Sequence, residues 1–181
     1  MAYMPALSYE AIADGLTVCT SSLHRFGTDA VLLTEFSGYR QKDRVCDFGT
    51  GCGIIPMLMQ RQAPPQEIYG VDIQPEAIES TRQRLTEAGL MGRATLIHAS
   101  HRRMAEYVPA ADAVVFNLGY LPHGDHAIGT TAAESIPAVE AALSILAEDG
   151  FVTICLYYGG DSGYAEHDAL LEYLARLDAK K

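Results

Sequence analysis

Two hydrophobic rhythms alternate along this chain: short, nearly continuous apolar runs, and longer segments in which apolar residues recur every three or four positions. The first is expected of strands covered on both faces, the second of helices packed against them, so the alternation predicts an α/β fold with a mainly parallel sheet and helices on both faces. Strands are predicted over residues 44–48, 67–72, 94–98, 113–117 and 151–158. One helix opens at Pro75, carries Glu76 and Glu79 where the helix dipole favours acids, closes at Gly89, and turns Ile78, Leu85 and Ala88 inward. A second starts near Ser135 with Pro137 in its first turn, ends before Gly150, and presents Ile136, Val139, Leu143 and Leu146. Residues 28–39 read as a helix preceded by a short hairpin around Asp14 and Gly15, and Leu170, Leu171, Leu174 and Leu177 mark a last helix running almost to Lys181. No repeat or linker divides the chain, which is expected to form one domain, 1–181, with a cap over 1–42 ahead of a core over 43–181.

Composition narrows the function. With 181 residues, 49% of them hydrophobic, the chain can bury one sizeable core. No apolar run reaches the roughly 20 residues that cross a bilayer, and residues 1–10 lack a basic segment followed by an apolar one, so a cytoplasmic protein with no membrane partner is expected. Cys19, Cys46, Cys52 and Cys155 show no CxxC spacing. Neither a metal site nor a disulfide framework is indicated, and buried thiols are the expected outcome. A net charge of −10 opposes non-specific adsorption to nucleic acid. An RNA substrate would need a partner chain or a local patch at Arg40, Lys42 and Arg44, at Arg82 and Arg84, or at Arg102 and Arg103; the other reading of each cluster is solvated surface charge.

The most informative stretch is Asp47-Phe48-Gly49-Thr50-Gly51-Cys52-Gly53, between a predicted strand and a predicted helix. Glycines let the backbone turn tightly and approach a ligand that a Cβ would exclude. Ile54 breaks the dinucleotide pattern GxGxxG, whereas the tighter GxGxG spacing is intact and suits a cofactor without a pyrophosphate. Asp72 ends the next strand, about 20 residues on, where a carboxylate can accept hydrogen bonds from ribose hydroxyls. Loop and acid together indicate a nucleoside-type cofactor.

These residues resemble the class I, Rossmann-like methyltransferases that use S-adenosylmethionine and release S-adenosylhomocysteine. The resemblance implies that Asp47, or the backbone beside it, meets the methionine amino group, and that Gly49, Thr50, Gly51 and Gly53 pass under the methionine and ribose. It also implies that Asp72 holds the ribose, Ile73 and Gln74 flank the adenine, and Ser100 and His101 approach the adenine amine. Ser100 reads equally well as a helix cap. Such enzymes close with an antiparallel strand pair after the last helix. Here Asp178-Ala179-Lys180-Lys181 comes first, so either the sequence is a piece of a longer chain or the fold keeps about five core strands, with the fifth at an open edge that a homodimer would cover.

The fourth predicted strand runs into Asn117-Leu118-Gly119-Tyr120-Leu121-Pro122, at the strand ends where ligands gather in an open α/β sheet. An ordinary Asn-Gly turn is one reading. The other is chemical: the segment resembles the Asn-Pro-Pro-Tyr motif of amino-methylating enzymes. The Asn117 oxygen and the Leu118 carbonyl would accept N–H hydrogens and aim a nitrogen lone pair, while the Tyr120 ring stacks on a base. Extended through His123-Gly124-Asp125-His126 and Thr130-Thr131, the run is similar to the wobble-uridine methyltransferases, once described as rRNA methylases, which convert 5-aminomethyl-2-thiouridine in tRNA to its methylaminomethyl form. Gly70-Val71-Asp72-Ile73-Gln74, Leu96-Ile97-His98-Ala99-Ser100-His101 and Tyr157-Tyr158-Gly159 match the same family. The resemblance implies a tRNA substrate, with Asn117 and Tyr120 positioning the acceptor and Asp125 recognising the amine. His123, His126 and His101 are further candidates to take a proton.

Phe26-Gly27-Thr28-Asp29-Ala30-Val31-Leu32-Leu33 and Gly51-Cys52-Gly53-Ile54-Ile55-Pro56 look more like the tRNA adenine-N6 methyltransferases. Three readings follow: a wobble-uridine amine methyltransferase, a methyltransferase for adenine N6 or a small-molecule amine, and a non-catalytic S-adenosylmethionine-binding module.

Overall fold

The apolar runs form a single parallel sheet. The structure, a computed structural model, describes residues 7–13, 16–21, 27–118, 132–158 and 160–177. Strands β1 (Leu7–Ala13) and β2 (Leu16–Ser21) pair antiparallel as a separate hairpin ahead of α1 (Thr28–Phe36). Then follow β3 (Arg44–Phe48), α2 (Ile54–Gln62), β4 (Glu67–Asp72), α3 (Pro75–Glu87), β5 (Ala94–His98), β6 (Ala111–Leu118), α4 (Ala132–Ile145), β7 (Leu146–Leu156) and α5 (Gly160–Ala175). The sheet order is β5-β4-β3-β6-β7, every neighbouring pair parallel. This is the expected Rossmann-like α/β architecture. Strand order reverses between β3 and β6, where such sheets open a crevice at their carboxyl ends.

Period-two alternation divides the core. Cys46, Phe48, Tyr69, Val71, Val114 and Phe116 face one side, packed with Ala138, Val139, Ala142 and Ile145 of α4 and Leu170 of α5. Val45, Ile68, Ala113 and Val115 face the other, with Ala30 and Leu33 of α1, Leu85 of α3 and most of α2. Burial on both sides explains why the strands read as continuous apolar runs. Among the described residues no helix is long and apolar enough to cross a membrane.

The predicted bounds of β3, β4 and β5 coincide with the structure, and several other expectations shift. Helix α1 stops at Phe36 because Gly38 turns left-handed (φ 64) and Tyr39 leaves to donate its hydroxyl to the Met59 carbonyl oxygen. Strands β6 and β7 start earlier than predicted, with a register shift between Ala111 and Ala113, and β7 ends at Leu156. Helix α4 begins at Ala132, placing Pro137 inside the helix. Proline has no N–H to give the Ala133 carbonyl four residues back, and Arg102 Nη2 donates to that oxygen instead, at 2.7 Å. Its buried stripe is Ser135, Ala138, Val139, Ala142 and Ile145, with Leu143 exposed, because small residues bring the helix close to the sheet. In α3 the exposed Ala88 gives way to Thr81 and Arg84 as buried positions. Helix α5 ends at Ala175 and leaves Leu171 and Leu177 exposed.

Candidate active site

The β3–α2 turn is built from three left-handed glycines, Gly49 (φ 77), Gly51 (φ 52) and Gly53 (φ 75). From below it is tied down. The amides of Gly49 and Thr50 both donate to the Val71 carbonyl at 2.8 Å, Thr81 Oγ1 donates to the Gly51 carbonyl at 3.1 Å, and buried Arg84 donates to the Cys52 carbonyl at 2.6 Å. A Cβ on Gly53 would strike Thr81 at 2.7 Å, so this glycine serves close packing of α3. A Cβ on Gly49 would meet nothing within 4 Å. That open face is the cradle expected of a ligand-binding turn.

Asp72 faces the turn. Its Oδ2 accepts from the Gly51 amide and its Oδ1 from the Gln74 amide, each at 2.9 Å. Each oxygen retains a lone pair, so the carboxylate is pre-aimed and can still accept ribose hydroxyls. Ile73 beside it is 61% exposed, an apolar surface for a base, and Gln74 caps α3. Ser100 caps the short 3-10 turn His101–Glu106, its Oγ accepting from the Arg102 amide at 3.4 Å. The His101 ring stacks on Phe48 at 6.0 Å and 10°, and its Nε2 is buried without a partner among the described residues. Burial lowers the His101 pKa and so favours the neutral imidazole.

Asp47 lies fully buried under the turn, and among the described residues neither of its oxygens nor the nearby Thr50 hydroxyl makes a hydrogen bond of good geometry. Burial pushes the Asp47 carboxyl up to about 7; Thr50 beside it works the other way and the Asp72 carboxylate adds to the rise. A buried acid without such bonds either stays protonated or takes a cationic neighbour. The ammonium of a methionine-type ligand above the turn, met directly or through the adjoining backbone, fits that need. Gly49, Asp72 and Asp47 together therefore fit S-adenosylmethionine.

At the switch point Phe116 of β6 pairs with Phe48 of β3; one residue on, Gly49 begins the turn while Asn117 stays in β6, paired with Cys155 of β7. Asn117 Nδ2 donates to Asp29 Oδ2 at 2.6 Å, and its Oδ1 is buried without a partner among the described residues. Tyr120 and Asp125, with His123 and His126, lie outside the described residues. Sequence reasoning missed Asp29, Thr81 and Arg84 as parts of this site. Among the described residues the arginines of the candidate basic clusters are paired or buried: Arg40 pairs with Asp43, Arg44 with Asp112, Arg82 with Glu79, Arg102 with Glu134 and Arg103 with Glu106, while Arg84 is buried.

Comparison with known proteins identifies a family and several relatives. A family model described as "Putative rRNA methylase" matches residues 68–181. A chloroplastic tRNA (mnm(5)s(2)U34)-methyltransferase of Arabidopsis thaliana is 37% identical over 105 residues, 55% of this chain and 38% of that protein. A tRNA1(Val) (adenine(37)-N6)-methyltransferase of Tolumonas auensis is 29% identical over 101 residues, 55% of this chain and 42% of the other. The matches thus span about two fifths of these curated relatives. Among solved structures, a "putative rRNA-methylase" of Clostridium thermocellum superposes with a TM-score of 0.75 and 34% identity, covering 88% of this chain and 87% of that one. A "putative methyltransferase" of Streptococcus mutans, in complex with S-adenosylhomocysteine, gives 0.72 and 26%, covering 86% of each chain.

Proposed function

Since the chain belongs to that rRNA-methylase family of S-adenosylmethionine-dependent methyltransferases, we propose that it transfers the methyl group to a nitrogen on tRNA, specifically the aminomethyl group of wobble 5-aminomethyl-2-thiouridine. The observation that carries the reading is Asn117: its amide oxygen is unpartnered among the described residues, one position past the strand pair that precedes the glycine turn, where an acceptor amine would meet the methyl group. The partial match to the Arabidopsis thaliana enzyme supports the choice of nucleotide.

Bound S-adenosylmethionine would supply an electrophilic methyl carbon for the lone pair of a neutral amine, with S-adenosylhomocysteine as the leaving group. The chain's part is placement and exclusion of water, which account for most of the acceleration in such displacements. Asp72 grips the ribose, the glycine turn and Asp47 seat the methionine end, and Asn117 accepts an amine N–H so that the lone pair points at the donor. The proton of the ammonium product passes to solvent, and His101, a candidate proton acceptor from the sequence, keeps a ring nitrogen with no partner among the described residues. Tyr120 stacking on the base and Asp125 recognising the amine belong to the same proposal and rest on the sequence motif.

A second reading, adenine N6 as acceptor, is favoured by the Tolumonas auensis match and by the run around Asp29. Mass spectrometry of nucleosides from treated tRNA separates the two. The proposal expects one added methyl on 5-aminomethyl-2-thiouridine; methylated adenosine instead supports the second reading, and no methylated nucleoside defeats both. Because acid pairs neutralise the arginine clusters, tRNA affinity should come from a limited contact area or a second subunit. β7, at the sheet edge, is the proposed seam of a homodimer, and light scattering showing a monomer at high concentration would remove that part.

A further inference from the structure

Asp29 sits in the first turn of α1, at the strand ends where Asn117 and Tyr157 emerge, and nothing in the mechanism above uses it. Asn117 Nδ2 donates to its Oδ2 at 2.6 Å. Burial and the nearby Asp29 carboxylate raise the Tyr157 phenol pKa well above its ordinary value. An ionised carboxylate accepts hydrogen bonds and donates none. Asn117 must therefore turn its NH2 group towards Asp29, and Oδ1 becomes the end left for a substrate.

We infer that Asp29 is a positioning residue for methyl transfer, holding Asn117 in the orientation that offers an oxygen, and not an NH2 group, to the acceptor amine. The inference rests on the amine reading above. Without Asp29 the amide can rotate by half a turn about its last torsion and present two N–H donors to the incoming N–H, a repulsive arrangement that turns the lone pair away from the donor. Gly27 supplies an independent handle on the same contact. Its φ of −108 suits any residue, yet a Cβ there would lie 2.0 Å from Asp29 Oδ1. Glycine at this position leaves room for the carboxylate to stand where Asn117 can reach it.

Asp29→Ala should slow single-turnover transfer to the tRNA that the wild type modifies by about a hundredfold, with the Kd for S-adenosylmethionine unchanged in calorimetry. Gly27→Ala should show a smaller loss of the same kind. It also serves as the second variant if Asp29→Ala does not fold. Exchanging the pair, Asp29→Asn with Asn117→Asp, keeps a donor facing an acceptor across the contact and an oxygen facing the amine, so it should recover most of the rate. Asn117→Asp alone sets two carboxylates together and should be as slow as Asp29→Ala. The side-chain amide signals of 15N-asparagine-labelled protein give a readout that needs no transfer. The Asn117 proton facing Asp29 should be downfield-shifted and exchange-protected, and should lose both properties in Gly27→Ala and Asp29→Ala. Wild-type transfer rates in these variants, or unchanged Asn117 amide signals, overturn the inference. If the wild type methylates no tRNA, the amine reading fails, and the amide signals still decide whether Asp29 orients Asn117.

Discussion

Arg84 reaches from α3 to hydrogen-bond the carbonyl of Cys52 beneath the glycine turn, at 2.6 Å and out of contact with solvent. Thr81, three residues earlier on the same helix face, holds the neighbouring Gly51 carbonyl at 3.1 Å. The helix thus clamps the underside of the turn whose upper face is open. Arg84→Met should remove the longer arm and leave a buried carbonyl unpaired. A stability loss of about 1–3 kcal/mol in chemical denaturation is expected, with weaker cofactor binding because the turn is no longer held. Unchanged stability and unchanged affinity together would show that the clamp is idle.

Two glycines a few residues apart should respond differently to the same substitution. Both have positive φ, so alanine at either costs about 1 kcal/mol or more of backbone strain. Gly53→Ala also drives a methyl into Thr81, and should show the larger drop in Tm. Gly49→Ala meets no protein atom, so its fold should survive well while the methyl stands in the cradle. Calorimetry should show S-adenosylmethionine binding reduced by about tenfold or more in Gly49→Ala, an effect of about 1.4 kcal/mol.

Asp47 makes stability and cofactor affinity run in opposite directions with pH. Its folded pKa is raised to about 7, so the fold favours the protonated acid. That contribution is fully present below the unfolded carboxyl value and is lost as pH rises through about 7. Asp47→Asn should therefore leave stability unchanged near pH 4 and raise it above pH 7 in the ligand-free protein, by a few kcal/mol at most, at about 1.4 kcal/mol per pKa unit. The same variant should bind S-adenosylmethionine more weakly at neutral pH, because the ligand ammonium loses its counter-charge. Wild-type affinity should fall on acidification below about pH 6, and the variant's should stay flat. Denaturation and calorimetry across this range check both signs.

Much of the architecture was legible in the chain because it is encoded locally. The apolar runs of β3, β4 and β5 coincide with their pairing limits, and Asp72 declares itself by its distance from the glycine turn. What escaped was encoded at long range or in small residues. Pairing of β6 extends back to Ala111, beyond the apolar run, next to the Arg44–Asp112 ion pair. The α4 stripe is carried by Ala138 and Ala142, which a search for large apolar residues passes over. Arg84 reads as surface charge until its partner, 32 residues away, is known. Asp29 meets Asn117 across 88 residues of sequence, a contact no local pattern marks. Tyr120 and Asp125 lie outside the described residues and rest on family resemblance alone.

Titration of S-adenosylmethionine into the wild-type protein and into Asp72→Ala tests the central claim most directly, because Asp72 joins the glycine turn to the proposed ribose site without lying deep in the core. Micromolar binding at one site per chain is predicted for the wild type, with a loss of about a hundredfold or more, roughly 2.7 kcal/mol, in the variant. A wild-type protein that takes up no S-adenosylmethionine, or a variant that binds it equally well, would contradict the account.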